Sequence, residues 1–280
     1  MPASRSLRHV ALAVIVTTLA LATGGCANAG KGAAGSFSSR TPDTLTVATA
    51  QIPDPGFWEG TAQHPTGGFE YGLAKALADH FGLANVKVIE VPFAQLIAGH
   101  LGGADLALSD ITITGERAEH VDFSAPYLKA PPGILVRPGT EVADVNAARD
   151  LRWAVQRHTT LKAALEASIE PTTRTQVLEH QHEVLLALEA GRVDAVMLDL
   201  PVALAYARES PHEYELAGQL PSEAVLGAAL PQGSENLEAV DSAIRGLKAE
   251  GAIDRLGHQW LAADIEEGGA EDIPVLRAEE

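Results

Sequence analysis

The stretch that decides the fold is ADLALSDITITGERAEHVDFSAPY, residues 104–127. Its apolar start, 104–108, has the composition of a buried strand. Residues 109–114 form the loop leaving that strand's carboxyl end, and Arg117 follows within side-chain reach. In open α/β sheets ligands settle at such strand ends, and a planar guanidinium pairs bidentately with a carboxylate. The stretch therefore predicts a clamp for a small anion, set against the plainer reading of a surface loop whose arginine makes an ordinary ion pair.

The pattern occurs twice. IAGHLGGADLALSD (97–110) and LALEAGRVDAVMLD (186–199) each run from an apolar helix through glycine and a turn aspartate (Asp105, Asp194) into an apolar strand that ends on another aspartate (Asp110, Asp199). Two lobes of like construction would each present a carboxylate at a strand tip, although any βαβ unit shares part of this pattern. Periodicity extends it. Strands are expected at 44–50, 86–91 and 104–108, and helices at 69–81, with Phe69, Leu73, Leu77 and Phe81 on one stripe, and at 93–101. After Pro131-Pro132-Gly133 and a strand at 134–137, a second series follows: strand 152–155, helices 160–168 and 182–190, strand 193–198, strand 224–230, then helices 236–250 and 253–261. Alternation of this kind predicts parallel α/β architecture in two lobes.

The amino terminus predicts export. Arg5 and Arg8 precede thirteen uncharged residues, 10–22, too few to span a bilayer, which takes about 20, and typical of a signal-peptide core. Thr23-Gly24-Gly25-Cys26 follows and contains the only cysteine of the 280 residues, so no disulfide framework holds the fold. The position of Cys26 resembles the lipobox of bacterial lipoproteins, which implies a lipid on Cys26. Residues 27–42, rich in Gly, Ala and Ser, read as a flexible tether. A net charge of −17 argues against nucleic acid or anionic lipid as partners.

Five motifs in order carry a family resemblance. GGFEYGLAKALADHFGL (67–83), ALSDITITGERAEHVDFSAPY (107–127), VQRHTTLKAAL (155–165), AGRVDAVMLD (190–199) and LKAEGAIDRLGHQWL (247–261) resemble motifs of the family 3 extracellular solute-binding proteins, the capturing subunits of polar amino-acid ABC importers. The resemblance implies an α/β type II periplasmic-binding-protein fold, with two α/β lobes joined by a two-segment hinge and the ligand cleft between them. It implies a signal peptide at 1–25, a lipid-anchored tether at 26–42, lobe 1 at 43–131 plus 226–265, lobe 2 at 132–225 and an acidic tail at 266–280. The implied function is capture of an amino acid or similar small zwitterion by lobe closure, outside the cytoplasmic membrane. Delivery is to ABC permease subunits, from a monomer with no cofactor and no metal.

The same resemblance implies roles. Arg117 forks onto the ligand's α-carboxylate, Thr160 meets that carboxylate from the other lobe at a helix entry, and Asp199 accepts the α-ammonium, helped by Thr112. Ser109 and Asp110 line the pocket, and Gln156, Thr159 and Glu70 join the candidate set from the same motifs. Phe57 or Trp58 would stack on a ligand side chain or simply pack. Gly72 stands where the family usually has an acid, His158 where it has glycine, and Asp110 where Ser or Gly is common. Two carboxylates, Asp110 and Asp199, would then face one arginine, and burying an unpaired carboxylate is costly. A basic amino acid and a glutamate-type ligand both stay open, the latter on the segment IPDPGFWE (52–59).

Other constellations carry less. Glu179-His180-Gln181-His182-Glu183 has metal-ligand chemistry, but residues two apart do not share a helix face, and a polar helix entry explains them. GxSxG, HExxH and P-loop motifs are absent. Two alternatives use the same fold: a prephenate/arogenate dehydratase-like enzyme with Asp110 or Asp199 as acid, for which a strongly raised Asp110 pKa would speak, and a ligand-sensing module.

Overall fold

The computed structural model describes residues 36–261 and 273–277, so the signal core, Cys26 and most of the expected tether lie outside the described residues. In chain order the elements of the first half are β1 Thr44–Thr49, β2 Glu59–Thr61, β3 His64–Gly67, α1 Phe69–Phe81, β4 Asn85–Glu90, α2 Phe93–Ile97, β5 Leu106–Ala107, β6 Val121–Phe123 and β7 Leu128–Lys129. Then come β8 Pro132–Val136, α3 Val145–Arg149, β9 Trp153–Gln156, α4 Leu161–Ser168, β10 Gln176–Leu178, α5 Gln181–Glu189, β11 Ala195–Asp199, α6 Leu200–Glu209 and β12 Glu215–Gln219. The chain ends with β13 Val225–Leu226, β14 Ala229–Pro231, α7 Leu237–Ala249, α8 Ala252–Leu256 and a π turn at Gly257–Leu261. Among the described residues no helix is long and apolar enough to cross a membrane.

The strands sort into two five-stranded sheets, β4-β1-β5-β14-β6 and β10-β9-β11-β8-β12. Each is mixed, which corrects the expectation of parallel sheets. β1 pairs parallel with β4 and β5, but β14 runs antiparallel to β5 and β6; β9 pairs parallel with β10 and β11, but β8 runs antiparallel to β11 and β12. The antiparallel members are strands that carry the chain from one sheet to the other and back. Between them β7 and β13 form a two-stranded antiparallel ribbon through which both crossings pass. The expected single strand at 224–230 is thus two strands in different sheets, parted at Gly227-Ala228, where Ala228 exchanges hydrogen bonds with Ser124.

Helices bury their apolar stripes on these sheets. α1 buries Phe69, Leu73 and Leu77 completely, as its spacing predicts, against a core continuous with residues of the second lobe such as Val196 on β11 and Val202 on α6. Gly72 on the same helix packs closely on α8: a Cβ there would sit 2.4 Å from Leu256 Cδ2, so the family's acid would require that side chain to shift. α2 ends at Ile97, short of the expected residue 101, because Gly99 turns left-handed at φ +83°.

Both terminal segments make contacts with the lobes where they are described. Part of the expected tether is packed: Phe37 stacks on Phe81 at 4.2 Å, Ser38 and Asn236 exchange hydrogen bonds of 2.8 and 2.9 Å, and Arg40 N donates to Asp105 Oδ1. At the other end, Ile273–Arg277 of the expected acidic tail packs on the second lobe. Val275 bridges parallel to Gln219 on β12, and Leu276, only 4 % exposed, enters the second lobe's core. Gly218 makes that possible, since a Cβ there would fall 2.1 Å from Leu276 Cδ1.

Candidate functional site

The loop-bearing ends of the two sheets face a cavity of about 230 Å³. From the first lobe it is walled by Gln51, Asp54, Phe93, Ser109 and Asp110, and from the second by the turn 156–159, Gln181, Leu198 and Asp199. Both strand-tip aspartates read from the repeated pattern therefore arrive at one place. Asp199 ends β11 and starts α6, and its carboxylate does not cap that helix, which leaves it turned to the cavity.

Five residues of the candidate set, Ser109, Asp110, Gln156, Thr159 and Asp199, line the cavity wall. Ser109 Oγ accepts from Ala50 N at 2.8 Å and so ties the ends of β1 and β5 together. Thr159 Oγ1 donates to Gln156 O, closing the turn before α4, at whose entry Thr160 sits. Arg117 opens a 3-10 turn just behind the wall, 6 % exposed. Its Nη1 donates to Thr112 O at 2.8 Å and its Nη2 reaches across the cleft to His158 O at 3.0 Å, while the guanidinium lies 5.2 Å from the Phe93 ring centroid. Thr112 thus serves Arg117 through its carbonyl. His158 holds φ +65°, a conformation that favours glycine, and this is the physical reason for glycine at that place in the family motif.

Three residues of the set lie away from the cavity wall, and for Phe57 and Trp58 the structure shows packing. Phe57 and Trp58 are completely buried in the core, where a tight turn draws Trp58 O to Asp54 N. Glu70 is equally buried, and its carboxylate accepts from Trp58 Nε1 at 2.6 Å, Tyr127 OH at 2.6 Å and Asp110 N at 2.8 Å. Both of its oxygens are engaged inside the core, where they hold the Asp110 loop.

Asp54 was not in the set, and it stands beside the ligand space. It is 8 % exposed and its Oδ1 accepts from Gln181 Nε2 at 3.0 Å, a second bond between the lobes. The available signal was its place between the carboxyl end of β1 and a Pro-Gly turn, where strand-end chemistry gathers. Gln181 came from the EHQHE run that suggested a metal. There His180 and Glu183 instead form a capping box on α5, and His180 stacks on His182.

Burial dominates the electrostatics. It pushes the Asp54 carboxyl up to about 7, with Glu70 adding to the effect, and Glu70 itself to about 7 against the pull of its three hydrogen bonds. Asp199 is raised to about 6 by burial, opposed by its hydrogen bond with Asp110 and by Arg117. Asp110 is raised by burial first and then by the charges of Asp199, Glu70 and Asp54. Arg117 is lowered by burial, with Asp199 and Asp110 acting in the opposite direction, and remains a cation.

Known proteins agree with this architecture. The profile of the bacterial extracellular solute-binding proteins, family 3, matches residues 45–263. The L-cystine-binding protein of Escherichia coli strain K12 is 27 % identical over 227 residues, covering 79 % of this chain and 84 % of that protein. The L-arginine-binding protein of Pseudomonas aeruginosa is 26 % identical over 241 residues, 82 % of this chain and 91 % of that one. Among solved structures, an ancestral arginine-binding protein bound to glutamine superposes with a TM-score of 0.69 at 29 % identity, covering 79 % of this chain and 98 % of that one.

Proposed function

The chain belongs to the bacterial extracellular solute-binding proteins of family 3, and on that premise we propose that it captures an amino acid with a cationic side chain by closure of its two lobes. The carrying observation is Arg117. A buried guanidinium that spans the cleft to a backbone carbonyl, His158 O, holds a weak acceptor in the place a carboxylate would fill better. A ligand carboxylate would take the fork, joined by the turn at Thr159 and Thr160. Asp199 would take the α-ammonium from the other side.

The preference for a cationic side chain rests on the rest of the wall. Asp54, Glu90, Asp110 and Glu179 line the cavity besides Asp199, while Arg157 there is paired with Glu179 at 2.8 Å. A glutamate side chain would add charge to an acidic space. The Pseudomonas aeruginosa relative named for L-arginine supports this preference. Handover to ABC permease subunits and anchoring outside the cytoplasmic membrane through a lipid on Cys26 complete the reading, with a monomer as the working form.

A screen of melting-temperature shifts over the twenty amino acids tests it. Arginine or lysine should give the largest rise, since ligand at 100 times its Kd stabilises by about 2.7 kcal/mol. A largest shift with glutamate or aspartate overturns the charge assignment. No shift with any of them overturns amino-acid capture.

One feature favours a second reading: burial and the neighbouring carboxylates push the Asp110 carboxyl up, and a dehydratase acid has to hold a proton. Binding accounts for the same proton without chemistry, because two buried carboxylates side by side need one. Incubation with prephenate, followed by ultraviolet absorbance of the phenylpyruvate product, should show no turnover; sustained turnover that Asp110→Asn abolishes would establish the enzyme.

A further inference from the structure

The floor of the cleft brings together two carboxyl groups that cannot satisfy one another while both are ionised. Asp110 Oδ1 is shielded from water and has no hydrogen-bond donor. The carboxyl group lies within hydrogen-bonding reach of Asp199, which is 8 % exposed and comes from the opposite lobe. Ionised carboxylates only accept, so a donor must lie between them. The pair is also held in place: Asp110 adopts φ +51°, and its N–H is fixed by Glu70 Oε1 at 2.8 Å.

The groups facing the pair do not supply the donor. Arg117, on the 3-10 turn behind it, donates from Nη1 to Thr112 O and from Nη2 to His158 O and makes no hydrogen bond to either aspartate. Glu70, on α1, and Asp54, after β1, add negative charge. Tyr127 donates to Glu70, and His158, in the turn after β9, gives its carbonyl to Arg117. Glu90, Arg157, Glu179 and His180 stand further along the wall, where Arg157 is occupied by Glu179. Around the floor one guanidinium faces four carboxyl groups.

We propose that Asp110 and Asp199 share one proton in the empty cleft, and that the ligand's ammonium displaces it on closure, so that capture exchanges one proton for one cation. This rests on the amino-acid reading given above. In the exchange one carboxylic O–H bond breaks and the proton passes to solvent buffer; N–H donors of the ammonium then bond to both carboxylates, and no electrons are transferred. Asp110 thereby selects for a positively charged amine, and a ligand lacking one leaves the proton in place. Affinity falls on acidification, by up to about tenfold per pH unit.

Calorimetry of the full chain with L-arginine and L-glutamine, each in two buffers of different ionisation enthalpy at about pH 6.5, counts the protons. The expected result is release of about one proton per ligand in the wild type and almost none in Asp110→Asn, whose affinity should also lose its pH dependence. Absence of proton release in the wild type, or undiminished release in Asp110→Asn, overturns the proposal. Should neither ligand bind, the amino-acid reading is what fails, and the shared proton is decided without ligand. Infrared spectra near neutral pH should show a protonated-carboxyl band that shrinks in both Asp110→Asn and Asp199→Asn; a band unchanged in either variant overturns the sharing.

Discussion

Arg117 shows how one side chain can belong to two lobes. It is placed by its own turn, whose N–H bonds to Thr114 Oγ1, and its planar fork meets Thr112 O on one side and His158 O on the other. Lysine at this position keeps the charge but offers a point donor without the fork. Arg117→Lys should therefore weaken ligand binding by more than about 1.5 kcal/mol, with a small change in the melting temperature of the empty protein. Titration calorimetry checks this, and unchanged affinity would remove Arg117 from the site. His158 offers the complementary test. Only its backbone carbonyl is used and its φ is +65°, so His158→Gly should keep affinity and raise stability by about 0.5–1 kcal/mol. A loss of affinity in that variant would show that the imidazole itself takes part.

At the scale of elements, the site depends on a strut. α1 carries Glu70 into the core, where Trp58, Tyr127 and the Asp110 loop all end on its carboxylate. Trp58→Phe keeps most of the ring volume but leaves Glu70 Oε2 without its donor, which should cost about 1–3 kcal/mol in chemical denaturation. An unaltered midpoint would mean that water replaces the indole. This strut also marks where the sequence stops being legible. The apolar spacing of Phe69, Leu73 and Leu77 places α1 within the chain, and a glycine before each apolar run places Asp110 and Asp199 at strand tips, because both signals are local. Phe57 and Trp58 carry no local sign of facing inward, since an aromatic pair beside a Pro-Gly turn suits a cleft or a core equally. The direction of Glu70 depends on three partners that lie 12, 40 and 57 residues away. For the same reason Asp54 and Gln181, 127 residues apart, give no sign in the sequence that they will meet. The antiparallel members of each sheet escaped notice because hydrophobic periodicity reports burial and not direction.

The whole molecule is a balance between buried acids and surface ones. Asp194 is held down to about 2, chiefly by its hydrogen bond with Arg152, so its contribution is present above the ordinary aspartate range and is lost as pH falls through about 2. The buried acids act in the opposite direction. Asp54 and Glu70 are raised to about 7 and Asp199 to about 6, and such groups bind more protons folded than unfolded between about 4 and those values. Their contribution is complete below the unfolded pKa and is lost as pH rises through 6 and 7. The empty protein should therefore melt highest at mildly acidic pH and lose several degrees between about pH 5 and pH 8, because about 1 kcal/mol moves the midpoint by 2–4 °C in a chain of this size. A bound cationic amino acid stabilises the ionised acids, so the decline should flatten when the cleft is filled. Asp54→Asn removes one of the raised groups and should flatten the decline of the empty protein in part, leaving the acid limb governed by Asp194 unchanged. Differential scanning calorimetry across that range, with and without L-arginine, decides the matter. A melting temperature that climbs steadily from pH 5 to pH 8 would mean that these carboxyls ionise freely and that water reaches the floor of the cleft.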